Sequence, residues 1–165
     1  MPTVAQPKIL VVDDRDDTLF AMESALAPLG YPMDRASSGD DALKTVLRGG
    51  VAVVLLDVLM PDLSGFEVAQ YMNRLEQTQD IPIMMITGAG RDPALAAKAF
   101  ELGVADYVVK PVDPWVIRTK VRYLYETGRR LHALRERLQA YERRSEEFRD
   151  RPPLDLEDRP LPRPA

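Results

Sequence analysis

The sequence has no cysteine, and no stretch in it approaches ~18 consecutive apolar residues. The first absence excludes disulfides and thiolate metal sites, and it suits a reducing compartment. The second argues against a membrane-spanning helix, and the N-terminus lacks the charged and apolar pattern of a secretion signal. We therefore expect a cytoplasmic protein with no membrane partner. Its apolar content of 45% is enough to form a packed core.

Positive charge is scarce in the first three quarters of the chain. The formal net charge is −4, but residues 1–127 carry −6 and residues 128–165 carry +2. An acidic domain is unsuited to binding nucleic acid through its phosphates. The seven arginines between Gly128 and Asp150 alternate with five acidic residues, so we expect no direct nucleic-acid contact there either. The change in charge predicts a domain boundary near Gly128.

Short apolar runs alternate with helical patterns along the first part of the chain. Four of the five predicted helices begin at a capping residue, as at Ser64-Glu67 or Asp113-Pro114, and several end at glycine. Five alternations with short connections predict a parallel α/β sheet with helices on both faces. Pro32 places the second strand at a sheet edge, where a missing N–H does no harm. The predicted strands are 8–12, 31–36, 51–56, 81–86 and 105–109.

Polar residues follow four of these strands, at the edge where parallel α/β sheets bind ligands. They are Asp13 and Asp14, Asp57, Thr87, and Lys110. Three carboxylates at one edge repel each other unless a cation relieves them. A hard divalent ion such as Mg²⁺ and the ammonium of Lys110 both could do so. A carboxylate beside such an ion can act as a nucleophile toward phosphorus, with Thr87 and Lys110 stabilising the phosphoryl oxygens.

The same residues carry a family resemblance over positions 7–127. The pattern Asp13-Asp14, Asp57 with Met60-Pro61, Thr87, Tyr107 and Lys110-Pro111 resembles the receiver domain of two-component response regulators. The resemblance implies a flavodoxin-like, doubly wound five-stranded sheet of order 2-1-3-4-5. It also implies a two-component signalling function, in which a histidine kinase or phosphotransfer protein phosphorylates Asp57.

The resemblance further assigns roles around the phosphoacceptor. Mg²⁺ (or Mn²⁺) is expected on Asp13, Asp14 and Asp57, with the backbone carbonyl of Leu59 as a further ligand. The family assigns Thr87 and Lys110 to the phosphoryl group, and Thr87 and Tyr107 to the switch. The peptide bond between Lys110 and Pro111 is expected to be cis.

Two positions depart from the more polar members of the family. Leu59 lies two residues after the phosphoacceptor, and Ala89 lies two residues after Thr87. In the family, these side chains help to admit or orient the attacking water. Apolar residues at both positions therefore predict a relatively long-lived phosphoprotein.

The chain continues beyond the receiver with a helical pattern at 128–150. Apolar residues recur there at heptad spacing between charged ones, which predicts a fifth helix prolonged into a coiled coil that joins two copies of the chain. A helix folded back on its own domain is the alternative. Gly128 is expected to weaken the helix by ~1 kcal/mol. Residues 1–7 are expected to be flexible, and 151–165, with five prolines, disordered or extended. The predicted dimer seam consists of Leu131, Leu134, Leu138, Tyr141 and Phe148.

Other functions remain open at this point. Aspartyl-phosphate hydrolases resemble this pattern, but they typically carry a second aspartate at the position of Leu59, so we expect a signalling domain and not an enzyme. The chain could instead be the N-terminal part of a larger regulator, or a pseudo-receiver that serves only as a dimerisation scaffold. Its downstream protein target is not indicated. Trp115 and Met84-Met85 are expected to be core or packing residues, and His132 to be exposed.

Overall fold

A computed structural model describes residues 5–88, 90 and 92–150. Five parallel strands form one sheet in the order β2-β1-β3-β4-β5, and they alternate with helices along the chain. This arrangement confirms the predicted topology. The strands are β1 (Lys8–Val12), β2 (Met33–Ala36), β3 (Val51–Asp57), β4 (Ile83–Thr87) and β5 (Asp106–Val109). The helices are α1 (Asp16–Leu26, followed by a 3₁₀ turn at Ala27–Leu29), α2 (Gly39–Leu47), α3 (Gly65–Arg74), α4 (Pro93–Glu101) and α5 (Pro114–Arg149).

Proline sets the start of two strands that the sequence predicted to begin earlier. Strand β2 begins after Pro32 and β4 begins after Pro82, because proline has no N–H for the ladder. Both prolines still accept hydrogen bonds, Pro32 from the N–H of Ile9 at 2.9 Å and Pro82 from that of Val54 at 3.0 Å. The edge position predicted for β2 is correct.

The strands are buried on both faces because helices cover each side of the sheet. Alternate residues of β1, β3 and β4 point to opposite sides, as the two-residue period of a strand requires. One side packs against α2, α3 and α4, and the other packs against α1 and α5. Met84 and Met85 contribute to opposite sides and are both fully buried, as expected. Trp115 was expected to be a core or packing residue, but it is exposed, because it lies on the other side of α5 from Ile117, the buried residue of the same turn.

Helix α5 is tied to the N-terminal end of the sheet by two tyrosines. Tyr125 is fully buried and stacks on Tyr31, with ring centroids 3.8 Å apart. The Tyr125 hydroxyl donates a hydrogen bond of 2.6 Å to the carbonyl of Pro7, and the Tyr31 hydroxyl donates one of 3.0 Å to Glu126. These bonds satisfy the polar ends of two aromatic side chains in a largely apolar site.

Gly128 is a packing residue and does not interrupt the helix. It is buried within α5, and a Cβ atom there would lie 2.4 Å from the backbone carbonyl oxygen of Ala52. The expectation of a weakened helix omitted this close approach, which only a residue without a side chain permits.

The chain divides into two compact units, one ending at His132 and the next beginning at Ala133. The predicted end of the receiver at residue 127 stays a prediction. The described part of the second unit, 133–150, consists of the remainder of α5 and Asp150, which follows it. In the parts of the chain that the structure describes, no helix has the length and apolarity needed to span a membrane. The expectations for residues 1–4 and 151–165 concern segments outside the described residues.

Candidate functional site

The carboxyl ends of β1 and β3 bring acidic residues together from distant parts of the sequence. Asp57 is the last residue of β3, and Asp13 follows β1 directly. The backbone N–H of Asp13 donates to the carbonyl of Ala36 at 3.2 Å, which extends the pairing of β1 with β2 by one residue. The N–H of Val58 likewise donates to the carbonyl of Ile86 at 3.2 Å. Hydrogen bonds of the sheet therefore fix the backbone positions of Asp13 and Asp57.

Three carboxylates form a compact cluster at this edge. One oxygen from each of Asp13, Asp14 and Asp57 lies within 4.8 Å of the others. Asp13 and Asp57 are 3% and 6% exposed, whereas Asp14 faces solvent. An all-oxygen donor set that is open on one side suits a hard cation that keeps some of its water. The donor chemistry thus fits the Mg²⁺ or Mn²⁺ that the sequence predicted.

Lys110 reaches into the cluster from the end of β5. Its Nζ lies 2.9 Å from Asp13 Oδ2 and 3.4 Å from Asp57 Oδ1. Its backbone N–H donates to the carbonyl of Thr87 at 2.7 Å, and its peptide bond to Pro111 is cis, as expected. One ammonium therefore offsets two of the three negative charges, at a position where it can also meet an anionic ligand.

The environment of Asp57 favours its protonated form. Burial raises the pKa of the Asp57 carboxyl to about 6, because the charged form loses hydration inside the protein. Lys110 opposes this rise in the pKa, whereas the negative charges of Asp13 and Asp14 add to it. A cation bound to the three carboxylates would favour the ionised form and so lower this pKa.

The two residues predicted as the switch lie on neighbouring strands. Thr87 ends β4 and is fully buried, and Tyr107 lies in β5 and packs against the core cluster formed with α2, α3 and α4. The Tyr107 hydroxyl is buried and has no hydrogen-bond partner among the described residues. A buried hydroxyl without a partner costs ~1–3 kcal/mol. This cost favours any alternative rotamer in which the hydroxyl reaches a partner or water.

Leu59, predicted to offer its backbone carbonyl to the metal, lies in the loop after β3 with its side chain exposed. Its role as a ligand stays a prediction. Ala89, the other apolar departure from the family pattern, lies outside the described residues. The effect of these two residues on the lifetime of the phosphoryl group also stays a prediction.

Gly65 belongs to the site, although the sequence indicated only that it follows a helix cap. A Cβ atom there would lie 2.3 Å from the carbonyl oxygen of Asp57, so only glycine allows α3 to begin this close to the end of β3. The Gly65 N–H donates to the carbonyl of Val58 at 3.0 Å, and the Ser64 capping box starts the helix as predicted. Gly65 thereby sets the position of the backbone that carries Asp57.

The family model of the response regulator receiver domain matches residues 9–122. The chain belongs to this family. This membership identifies a signalling receiver in two-component systems, and phosphorylation and Mg²⁺ are features of the family.

Two curated relatives and one solved structure show how far the similarity extends. A protein of Vibrio cholerae named "Probable cyclic di-GMP phosphodiesterase" is 36% identical over 73% of this chain and 27% of its own length. Transcriptional regulatory protein AfsQ1 of Streptomyces coelicolor is 34% identical over 75% of this chain and 53% of its own. The structure of chemotaxis protein CheY4 of Vibrio cholerae is 27% identical, with a TM-score of 0.67, over 73% of this chain and 99% of its own.

The receiver spans between a quarter and half of the curated relatives, and all of CheY4. The two relatives are named for different activities, although they share the matched segment. The similarity therefore identifies the receiver, and neither named activity follows from it.

The residues predicted to form a dimer seam all lie on α5 with exposed side chains. Leu131 is at the end of the first compact unit, and the other four are in the second. The exposure is compatible with pairing to another helix. Self-association through these residues stays a prediction.

Proposed function

We propose that Asp57 is the phosphoacceptor of this receiver and that a histidine kinase or phosphotransfer protein supplies the phosphoryl group. The observation that supports this most directly is the position of Lys110, whose ammonium contacts both Asp13 and Asp57 in a cluster of three carboxylates. A structural ion pair needs one partner for the lysine. A phosphoryl site needs a nucleophilic carboxylate, a cation-binding group and a cationic partner for the phosphoryl oxygens in one place.

The chemical step is transfer between nitrogen and oxygen. A carboxylate oxygen of ionised Asp57 attacks the phosphorus of the donor's phosphohistidine, and the bond between phosphorus and the imidazole nitrogen breaks. The other ring nitrogen of the phosphohistidine carries a proton, so the electron pair of the broken bond remains on the released nitrogen and the donor leaves as neutral imidazole. Lys110 is positioned to pair with the phosphoryl oxygens. Thr87, whose backbone carbonyl accepts the N–H of Lys110, would hydrogen-bond one of these oxygens through its hydroxyl.

Asp13, Asp14 and Asp57 would hold Mg²⁺, with the Leu59 carbonyl as a further ligand. Bound Mg²⁺ would neutralise the negative charge on the phosphoryl oxygens during transfer. The residues themselves perform the remaining tasks. Asp57 provides the nucleophile, and the buried setting of Asp13 keeps its carboxylate fixed beside Lys110.

The phosphoryl group would bias an existing equilibrium at the face formed by α4, β5 and α5. We propose that Thr87 moves toward the phosphoryl group and that Tyr107 changes rotamer in response. The unpartnered hydroxyl of Tyr107 supports this, because its present rotamer carries an unmet hydrogen bond. The output is contact with another protein, with no catalytic turnover by the chain beyond slow loss of its own phosphoryl group. We place this signalling in the cytoplasm, in line with the absence of cysteine.

Labelling with a small phosphodonor tests the assignment of Asp57. The full chain with Mg²⁺ and acetyl phosphate should gain one phosphoryl group in intact-protein mass spectrometry. Asp57→Asn should abolish the gain, since an amide is a poor nucleophile. The matched control is Asp34→Asn, a charge-equivalent change at a partly exposed strand residue that pairs with Lys8. Labelling of the Asp57→Asn variant at the wild-type rate would assign the phosphoacceptor to another residue.

A further inference from the structure

The second half of α5 exposes a narrow apolar stripe. Leu134, Leu138, Tyr141 and Phe148 are 59%, 57%, 72% and 75% exposed to solvent. Their spacing alternates between three and four residues, with Ser145 completing the pattern. That strict seam is narrower than the apolar face of a helix that packs on a globular core, and it is the pattern of a helix that pairs with another helix.

Charges are segregated around this seam. In a helix pair, positions e and g of each heptad flank the seam. Here these positions are almost all arginine, whereas the outer face of the helix is mainly acidic. The flanking positions are Arg130, Arg135, Arg137, Arg144 and Arg149, with a single acid, Glu142. The charged positions of the outer face are Glu136, Arg143, Glu146, Glu147 and Asp150.

The flanking arginines disfavour pairing of α5 with a second copy of itself. In a parallel pair each g residue meets the e residue of the next heptad on the other helix. Arg130 would then face Arg135 of the second copy, and Arg144 would face Arg149. The pair of Arg137 with Glu142 is the one favourable contact of the three. In an antiparallel pair g residues face g residues, which here are all arginine. Like charges at these positions oppose a homodimer.

We propose that the seam of α5 binds an amphipathic helix of another protein, whose own e and g positions are acidic. Such a helix would bury the apolar stripe and place a carboxylate opposite each flanking arginine. This partner replaces the second copy of the chain that apolar spacing alone predicted. An anionic membrane fits less well as the partner. A helix that lies in a membrane surface needs a wider apolar face than this stripe provides, and the five acidic residues between Gly128 and Asp150 offset most of the charge of the seven arginines there.

Two designed peptides test the charge preference directly. Both have about four heptads with leucine at the seam, and they differ only in carrying glutamate or lysine at every e and g position. Binding of each labelled peptide to the full, unphosphorylated chain is measured by fluorescence anisotropy. We expect the glutamate peptide to bind at least ~10-fold more tightly than the lysine peptide, with an affinity that falls as salt is added.

Substitutions on α5 separate charge from apolar contact. Arg137→Glu combined with Arg144→Glu should invert the preference between the peptides, whereas Arg137→Lys combined with Arg144→Lys should preserve it. Leu138→Ala should weaken binding of the glutamate peptide without changing which of the two peptides binds more tightly. Equal affinity for both peptides would overturn the proposal. So would a chain dimer, seen by sedimentation, that the glutamate peptide does not dissociate, or binding to phosphatidylglycerol vesicles that Leu138→Ala removes. Because no phosphodonor is present, these outcomes are independent of whether Asp57 is the phosphoacceptor.

Discussion

Replacing Asp57 with asparagine should stabilise the metal-free protein at neutral and alkaline pH. Burial raises the pKa of Asp57 from 3.8 to about 6, so ionising it costs more in the folded than in the unfolded chain. A difference of about two pKa units corresponds to ~3 kcal/mol. Asparagine is similar in shape and carries no charge, so it avoids most of this cost.

The sign of the effect follows from the direction of the shift. With a raised pKa in the folded state, Asp57 contributes stability that is fully present below pH 3.8 and is lost as the pH rises through about 6. The advantage of the asparagine variant should therefore be largest near pH 8 and disappear near pH 4. For a chain of this size, ~3 kcal/mol corresponds to ~6–12 °C in melting temperature.

The assay is thermal unfolding of the wild type and Asp57→Asn with a chelator present, across that pH range. Asp34→Asn serves as the control, because an exposed ion pair changes stability by no more than ~1 kcal/mol. Added Mg²⁺ should then close the gap, since the wild type offers the complete set of three carboxylates to the ion. The electrostatic argument would be refuted if the asparagine variant were no more stable than the wild type at pH 8. It would also be refuted if the variant exceeded the wild type in melting temperature by as much at pH 4 as at pH 8.

Three further predictions concern Gly65, Gly128 and Leu59. Gly65→Ala should slow phosphorylation of Asp57 by acetyl phosphate, measured by mass spectrometry, because its Cβ forces the Asp57 carbonyl to move; unchanged labelling would contradict this. Gly128→Ala should lower the free energy of unfolding, measured in urea, by ~1–2 kcal/mol, because the clash with the Ala52 carbonyl outweighs the ~1 kcal/mol gain in helix propensity. A variant more stable than the wild type would show that the helix shifts freely and would contradict this. Leu59→Asn should shorten the lifetime of the phosphorylated protein, because a polar side chain can orient the attacking water. The lifetime is measured by mass spectrometry as the loss of the phosphoryl group after the donor is removed. A half-life of seconds for the wild type would contradict the expected slow loss.

The sequence alone determined the order of elements and the edge of the sheet where the site lies. Alternating apolar runs and helix caps are local signals, and parallel strands must place their carboxyl ends together. Asp13, Asp57 and Lys110 could therefore be predicted to meet, because each directly follows or ends a strand. The resemblance then gave these positions roles that spacing could not assign.

Only the tertiary structure decided which separate segments touch. Gly65 lies against the carbonyl of Asp57 and Gly128 against that of Ala52, contacts that no local pattern records. Trp115 is exposed for the same reason, since burial depends on which face of α5 meets the sheet. The raised pKa of Asp57 likewise depends on how much water the surrounding fold excludes. Periodicity and capping act within one segment, whereas close approach and desolvation exist only after distant segments have packed.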